Sequence, residues 1–482
     1  MKVQFITYIT LALLLNYQAL SAQIPGTLVS GTLKNSGKVQ VMSFQFFYKQ
    51  ILEHHPIVKQ ASLLNEMARQ RLRQTRGEGF DPKLKSDFSR KEFKSKDYFN
   101  TWKTSLKVPL WIGAIEAGYE RNNGIFLNPE NSLPSNGLGF LGISVPLGRG
   151  IVTNTRRATL RQAKTFIEIA EADRRAMVNQ ILLEATQTYW SWYLAHRKLE
   201  LIKDGYNLAS VRYKAVKQRV KMGELAGIDS VKAKIILQKR LYELQDVYTK
   251  SNNARIKLSN YLWQKDNIPL EVSGNLIPSD NVPINTPKLG DLLDQAAQNH
   301  PELLSLNLTQ KNLRVEERLQ RDELKPRVDL KYQILTNPVG NNQDKAVPVA
   351  FQENYKVGLK FEFPLFLRKA RGKIQQVRIK KNQTELKLTQ KQREVRNKVI
   401  SYFNEFTNLQ RLIQVQRQMV ESYDLLRTGE LKKFSVGESD LFLVNTRENQ
   451  LLESRVKLAS LEAKFRKYYA KLRWAAGLAP IE

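Results

Sequence analysis

The chain writes most of its pattern twice. "HHPIVKQASLLNEMARQRLRQTRGEGFDPKL" (His54 to Leu84) matches "NHPELLSLNLTQKNLRVEERLQRDELKPRVDL" (Asn299 to Leu330): a His-Pro opening, a helix of similar length, then Pro82 or Pro326 leading into alternating sequence. Proline is tolerated in a first helical turn and stops a helix when it lies just past the end, so both placements have mechanical reasons. The match continues downstream. Pro146 and Pro364 each precede a long helical segment, and Tyr189 and Trp192 stand where Phe403 and Phe406 stand in the second copy. The breaks "KMGE" (Lys221 to Glu224) and "SVGE" (Ser435 to Glu438) follow, and each closing helix runs to a tryptophan, Trp263 or Trp474. The expected unit is helix, strands, long helix, turn, shorter helix. The first copy spans 23–264, with strands about 83–146 and its turn about 221–228. The second spans 291–482, with strands about 327–363 and its turn about 435–438. Between them, 265–290 is rich in Pro, Asn and Ser and reads as a linker or small subdomain.

Lengths carry the argument further. Leu147 to Val220 and Leu365 to Phe434 contain no proline, and at 1.5 Å per residue a helix over either would reach ~100 Å. The helices expected at 300–323 and 440–476 are about half as long, so two of them end to end match one long one. Such a rod cannot bury its apolar stripe alone, which calls for packing against other helices of this chain and of further copies.

The strands have a different grammar. Tyr355, Val357, Leu359, Phe361 and Phe363 alternate with Lys356, Gly358, Lys360 and Glu362, and Val328, Leu330, Tyr332 and Ile334 alternate with Asp329, Lys331 and Gln333. About nine residues per strand is the length a tilted strand needs to cross a bilayer, and apolar-out, polar-in alternation is what a water-filled barrel demands. In the first copy Trp102, Leu106 and Val108 share one parity and Leu141, Ile143 and Val145 another. Two membrane strands are expected there, together with an insertion over 96–137. Four strands per chain cannot close a barrel, so several chains would have to share one. A soluble antiparallel sheet alternates in the same way.

Composition narrows the function classes. The net charge of +31 and pI near 10.0 point to nucleic acid, an anionic membrane surface or acidic solutes as partners. Met1-Lys2, the apolar run Phe5 to Leu15 and "ALSAQ" read as a signal peptide over 1–22 with Ala22 as its last residue. The chain has no cysteine, which removes disulfides, thiolate metal sites, cysteine nucleophiles and a lipid anchor on an N-terminal Cys. After residue 22 no apolar run is long enough for a membrane-spanning helix. The histidines His54, His55, His196 and His300 make no HExxH motif, "GRG" (Gly148 to Gly150) is no phosphate loop, and "GESD" lacks the glycine spacing of a nucleophile elbow. No catalytic, metal or cofactor site is expected. The aromatic run around Trp190 reads as helix packing.

In the order of these elements, with the strand ends "GISVPLGRG" and "GLKFEFPLF", the breaks "MGELAGIDSVKAK" and "SVGESDLFLVNTREN", and the closing "NYLW" and "KLRW", the chain resembles the TolC family of outer-membrane efflux and secretion channels. The resemblance covers nearly all of the mature chain. It implies a mostly α fold with a β membrane part: coiled-coil-like helical hairpins forming a hollow periplasmic tunnel, and a homotrimer whose chains each give four strands to a twelve-stranded barrel. It also implies a passive duct in the outer membrane of a Gram-negative bacterium, working with a periplasmic adaptor protein and an inner-membrane pump in efflux or type I secretion, and no enzyme activity.

The resemblance places adaptor docking at Met222, Gly223, Val436 and Gly437, which match the family's short hydrophobic-Gly motif. Gly at these positions also suits a helix end. A charged periplasmic gate is implied at Asp229, Glu438 and Asp440, although six and nine residues after Gly437 this chain has Leu443 and Thr446 instead of acids. Acidic residues there also suit a helix N-terminus. Pro146 and Pro364 mark strand ends at the barrel rim, because proline cannot donate to a ladder. The charge leaves a rival, a basic coiled-coil or nucleic-acid-binding structural protein with steeply salt-dependent binding. An exported scaffold or adhesin is a third reading. The excess Lys and Arg are expected mainly on the outside of the helices and near anionic lipid, with a lumen lining as the alternative.

Overall fold

The computed structural model describes residues 31–32, 40–279, 286–336 and 354–480. The expected signal peptide and most of the loop between the second copy's strands lie outside them. The described residues form two compact units, one drawn from Met1–Pro56, Ala185–Pro283 and Ile413–Lys464, the other from Ile57–Glu184, Ile284–Leu412 and Phe465–Glu482. Each unit takes segments from both repeats, because the long helices α3 (Thr155–Lys221) and α7 (Arg368–Ser435) run from one into the other.

The two His-Pro openings build the same corner. Helix α1 (Phe44–His54) stops at His55 and α2 (Pro56–Phe80) begins at once, while α5 (Leu289–Asn299) stops at His300 and α6 (Pro301–Asp322) begins. A residue before proline is pushed out of the helical region, and His55 and His300 have ψ of 131° and 122°. Each histidine still donates its N–H to the helix it ends, His55 to Ile51 and His300 to Ala296. Both side chains are buried, and burial lowers both imidazole pKa values below the ordinary 6.5.

In the second unit α2, α3, α6 and α7 stand in a row, joined by polar pairs. Asn65 donates to Glu171, Gln162 to Glu316 and Lys381 to Glu317, at 2.7, 3.0 and 3.1 Å. Hydrogen bonds to Arg174, then Asn65 and Arg175, hold the Glu171 carboxyl well below the usual carboxylate range. The apolar core of this unit lies where α5, α6 and α7 meet α8 (Leu441–Ala475): Leu292, Leu303, Val399, Phe406 and Leu472 are buried together, with Phe406 stacked on Phe465 at 4.7 Å.

The same unit carries a six-stranded antiparallel sheet. Its strands are β3 (Lys83–Phe93), β4 (Lys96–Pro109), β5 (Ala114–Asn123), β6 (Leu138–Pro146), β9 (Arg327–Thr336) and β10 (Tyr355–Glu362), in the order β10-β9-β6-β5-β4-β3. Four strands were expected. The first repeat supplies four by itself, because the 96–137 segment contains β4 and β5 rather than a separate insertion. Strand β3 carries few large apolar residues and is defined by its pairing to β4, from Lys83 opposite Lys107 to Phe93 opposite Lys96.

In the first unit the segment between the repeats is docked. Strand β7 (Leu270–Glu271) pairs with β1 (Gly31–Thr32), and β8 (Leu276–Pro278) pairs with β2 (Gln40–Met42), both parallel. The aromatic run packs here as expected. Tyr189, Trp190 and Trp192 are essentially inaccessible, Phe44 stacks on Trp190 at 5.7 Å, and the Tyr189 hydroxyl donates to the Met42 carbonyl at 2.9 Å.

Candidate functional site

Two features stand out, the helix-turn-helix ends in the first unit and the sheet in the second. Helix α3 ends at Lys221, passes through Met222 and Gly223, and resumes as α4 (Gly227–Ser259); α7 ends at Ser435, passes through Val436 and Gly437, and resumes as α8. The turns share one hydrogen-bond pattern. The residue after each glycine reaches back five positions, Glu224 to the Arg219 carbonyl at 3.0 Å and Glu438 to the Lys433 carbonyl at 2.9 Å, the bond of a Schellman ending. Gly223 and Gly437 have φ of 80° and 85°, and nothing lies within 4 Å of where a Cβ would stand. Backbone conformation, not crowding, requires glycine there.

The turns are brought together by a small core. Val216, Ala233 and Leu441 are buried against Val220, Leu225 and Phe434, so residues flanking both breaks touch one cluster. Met222 and Val436 stay outside it, 62% and 71% exposed. Of the acidic residues, Asp440 caps α8: its carboxylate accepts from the Leu443 N–H at 2.8 Å. Asp229 sits in the first turn of α4 and pairs with Lys232 at 3.2 Å. Glu438 is exposed at the turn itself.

Sequence reasoning did not find a set of cross-helix pairs in this unit. Arg212 on α3 donates to Glu448 and Asn445 on α8, Arg240 on α4 to Asn449, Arg455 on α8 to Asp424 on α7, and Arg447 on α8 lies 3.6 Å from Glu430 on α7. Arg212, Arg240, Asn445 and Glu448 line a cavity of about 170 Å³. The partners are far apart in sequence, and no local pattern announces them.

The sheet separates its residues by face. Register puts Leu84, Leu106, Ala117, Leu141, Ile334 and Tyr355 in one row, and Val108, Ile115, Ile143, Tyr332 and Val357 in another. These rows lie on one side, where Leu84, Leu141, Val357, Leu359 and Phe361 are exposed. The other side carries Lys83, Lys85, Lys107, Lys331 and Lys360 around a cavity of about 840 Å³, together with Asp329 and Glu362. Ion pairs cross its strands, Lys103 with Glu120 and Lys331 with Glu116. Phe140, Leu138 and Leu335 are apolar residues on this face by register, and the Lys103 ammonium lies 5.1 Å over the Phe140 ring. Part of the cationic excess thus lies on this polar face, not only on helix exteriors.

Aromatic residues gather at both strand ends. Phe93, Tyr98 and Phe126 cluster by the turn joining β3 to β4, and Phe80 stacks on Trp111 at the helical end.

The prolines occupy the helical end. Pro146 is the last residue of β6, yet the pairing continues past it, since Leu147 donates to Val328 at 2.7 Å and Arg149 to Pro326 at 2.9 Å. Proline lacks one donor but does not stop its neighbours. Strand β10 ends at Glu362, two residues before Pro364. The junction of β6 with α3 is tied by Arg157, which donates to the Gly150 and Ile151 carbonyls, and by Asp322, which accepts from the Gly150 N–H at 2.7 Å.

Among the described residues no His, Cys, Asp or Glu cluster has metal-binding geometry, and no helix is long and apolar enough to cross a membrane.

Residues 292–478 match the family model described as outer membrane efflux protein. No curated protein matches the sequence. Solved structures match in fold. The CmeC outer membrane channel of Campylobacter jejuni is 13% identical at a TM-score of 0.63, covering 91% of this chain and 86% of that one. VceC of Vibrio cholerae is 14% identical at 0.64, covering 90% and 96%. The open-state MtrE channel of Neisseria gonorrhoeae is 12% identical at 0.63, covering 91% and 89%. Residues 292–478 thus resemble the outer membrane efflux protein family in sequence, and the chain shares its fold with these solved outer-membrane proteins over about nine-tenths of its length.

Proposed function

We propose that the chain is one subunit of a passive outer-membrane duct: a homotrimer in a Gram-negative envelope, with its helices in the periplasm, through which an inner-membrane pump and an adaptor protein expel solutes or a secreted substrate. The observation that carries this reading is the six-stranded sheet with an apolar face, a charged face and aromatic residues at both strand ends. Lipid on one side and water on the other is the environment that arrangement suits, with aromatic rings at the two interfaces. The energy for transport comes from the pump.

The adaptor is proposed to meet the exposed Met222 and Val436 beside the two glycine turns, and Asp229, Glu438 and Asp440 to charge the mouth at that end. Purified protein added to planar bilayers is expected to give discrete single-channel conductance, and fractionated cells to hold it in the outer membrane. Cytoplasmic protein that binds DNA with steep salt dependence would favour the basic structural reading instead. Outer-membrane protein without conductance would favour a scaffold.

A further inference from the structure

Building on the proposed oligomeric duct, we propose that the seam between copies joins β3 of one chain to β10 of the next, antiparallel, with Lys85 opposite Glu362 and Asp87 opposite Lys360, so that each chain contributes six strands. In a trimer the barrel then has eighteen strands, not twelve.

Among the described residues β3 and β10 each have one neighbour, and they span 11 and 8 residues. An open edge in hydrocarbon leaves backbone N–H and C=O groups without partners, which a membrane sheet cannot sustain. All five pairings inside the sheet are antiparallel. With an even number of strands the two edges run in opposite directions, so a head-to-tail join continues the alternation. Closure of one chain on itself would make a six-stranded barrel, narrower than the roughly eight strands whose interior side chains just fill, while this sheet already crowds one face with lysines.

Two constraints fix the register. The apolar face carries even positions in β3 (Leu84, Phe88) and odd positions in β10 (Leu359, Phe361), so opposite residues must pair odd with even for lipid to meet one continuous face. Among registers that obey this, Lys85 opposite Glu362 also sets Asp87 opposite Lys360, two attractive pairs against one like-charge pair, Lys91 opposite Lys356. A shift of two residues one way places Lys85 against Lys360 and leaves one attractive pair, Lys83 with Glu362, while a shift the other way sets Asp87 against Glu362; like charges directly opposite are unfavourable, so both have a poorer balance.

Width agrees. Four helices in a row, α2, α3, α6 and α7, occupy about 40 Å at about 10 Å apiece. Six strands at about 4.8 Å, tilted by about 40°, span about 38 Å, whereas four span about 25 Å.

The chain has no cysteine, so introduced pairs report cleanly. Directly opposite residues lie within disulfide reach. Co-expression of one chain carrying Ser89→Cys with another carrying Gly358→Cys is expected to give a covalent dimer, and the double variant a ladder ending at the full ring. Lys356→Cys in place of Gly358→Cys is expected to cross-link poorly. Reversal of the seam charge by Glu362→Lys is expected to lower the yield about 2- to 5-fold, with Lys85→Glu restoring it. A disulfide confined to single chains would overturn the seam in favour of self-closure. A stronger product with Lys356→Cys would overturn the register. An intact oligomer by native electrophoresis with no cross-link in either pair would reject the six-strand seam while leaving the duct standing, whereas a wild-type protein that forms no oligomer in the outer membrane would reject the duct itself.

Discussion

The Arg212 guanidinium on α3 donates to the Glu448 carboxylate on α8 at 2.5 Å, with both side chains about one-seventh exposed. Removing one partner of such a pair strands the other charge away from water. Arg212→Ala is expected to destabilise the protein by about 3 kcal/mol, and Arg212→Ala with Glu448→Ala by less than the sum of the two single changes. Denaturant melts followed by circular dichroism measure both; additive losses would show the pair to be uncoupled.

The two turn glycines separate folding from docking. Gly223→Ala or Gly437→Ala forces a side chain into the left-handed region and is expected to cost about 1 kcal/mol. Met222→Ser with Val436→Ser changes exposed side chains and is expected to leave the melting temperature within about 2 °C, since surface substitutions usually stay within about 0.5 kcal/mol. Adaptor capture by the serine variant is expected to fall at least about tenfold. Undiminished capture would remove these side chains from the docking surface.

Asp440 tests the gate against the cap. Asparagine caps as well as aspartate does, so Asp440→Asn is expected to preserve stability while changing single-channel conductance or ion selectivity. Asp440→Ala is expected to cost about 1 kcal/mol. Unchanged conductance in the asparagine variant leaves Asp440 a cap only.

Acid should loosen the helical parts in two stages. His55 and His300 have folded pKa values lowered by burial, so the unfolded chain binds protons first as pH falls. Their contribution is intact above about 6.5 and is lost as pH drops through that value toward the folded pKa. Glu171, lowered chiefly by its Arg174 hydrogen bond, follows below about 4.5 as the carboxylate is forced to protonate. Melting temperature is expected to fall between pH 7.5 and 5.5, and less steeply in a His55→Gln, His300→Gln variant. Equal slopes would reject the histidine contribution.

The sheet's two faces are not interchangeable. Leu359→Lys places a charge on the apolar face and is expected to cost about 2 to 4 kcal/mol if that face meets lipid, with loss of assembled protein from outer-membrane fractions. Lys107→Gln on the opposite face, on an interior strand away from the seam, is expected to assemble normally. Equal assembly of the two variants would contradict a lipid-facing wall.

Local grammar determined the parts that depend on neighbours in sequence. Pro56 and Pro301 force the histidines before them out of helix, Gly223 and Gly437 end the long helices, and alternation marks β9 and β10, because each effect acts over a few residues. Tertiary structure decided the rest. Strand β3, with Leu84, Ser86, Phe88 and Arg90 on one face, has thin alternation and became a strand by pairing with β4, and β5 lies between β4 and β6, so these two together turned four expected strands into six. Arg212 reads as an ordinary surface arginine until α8 brings Glu448 to it across 236 positions. Hydrogen bonds between distant segments carry no periodicity of their own, so only the folded chain could reveal them.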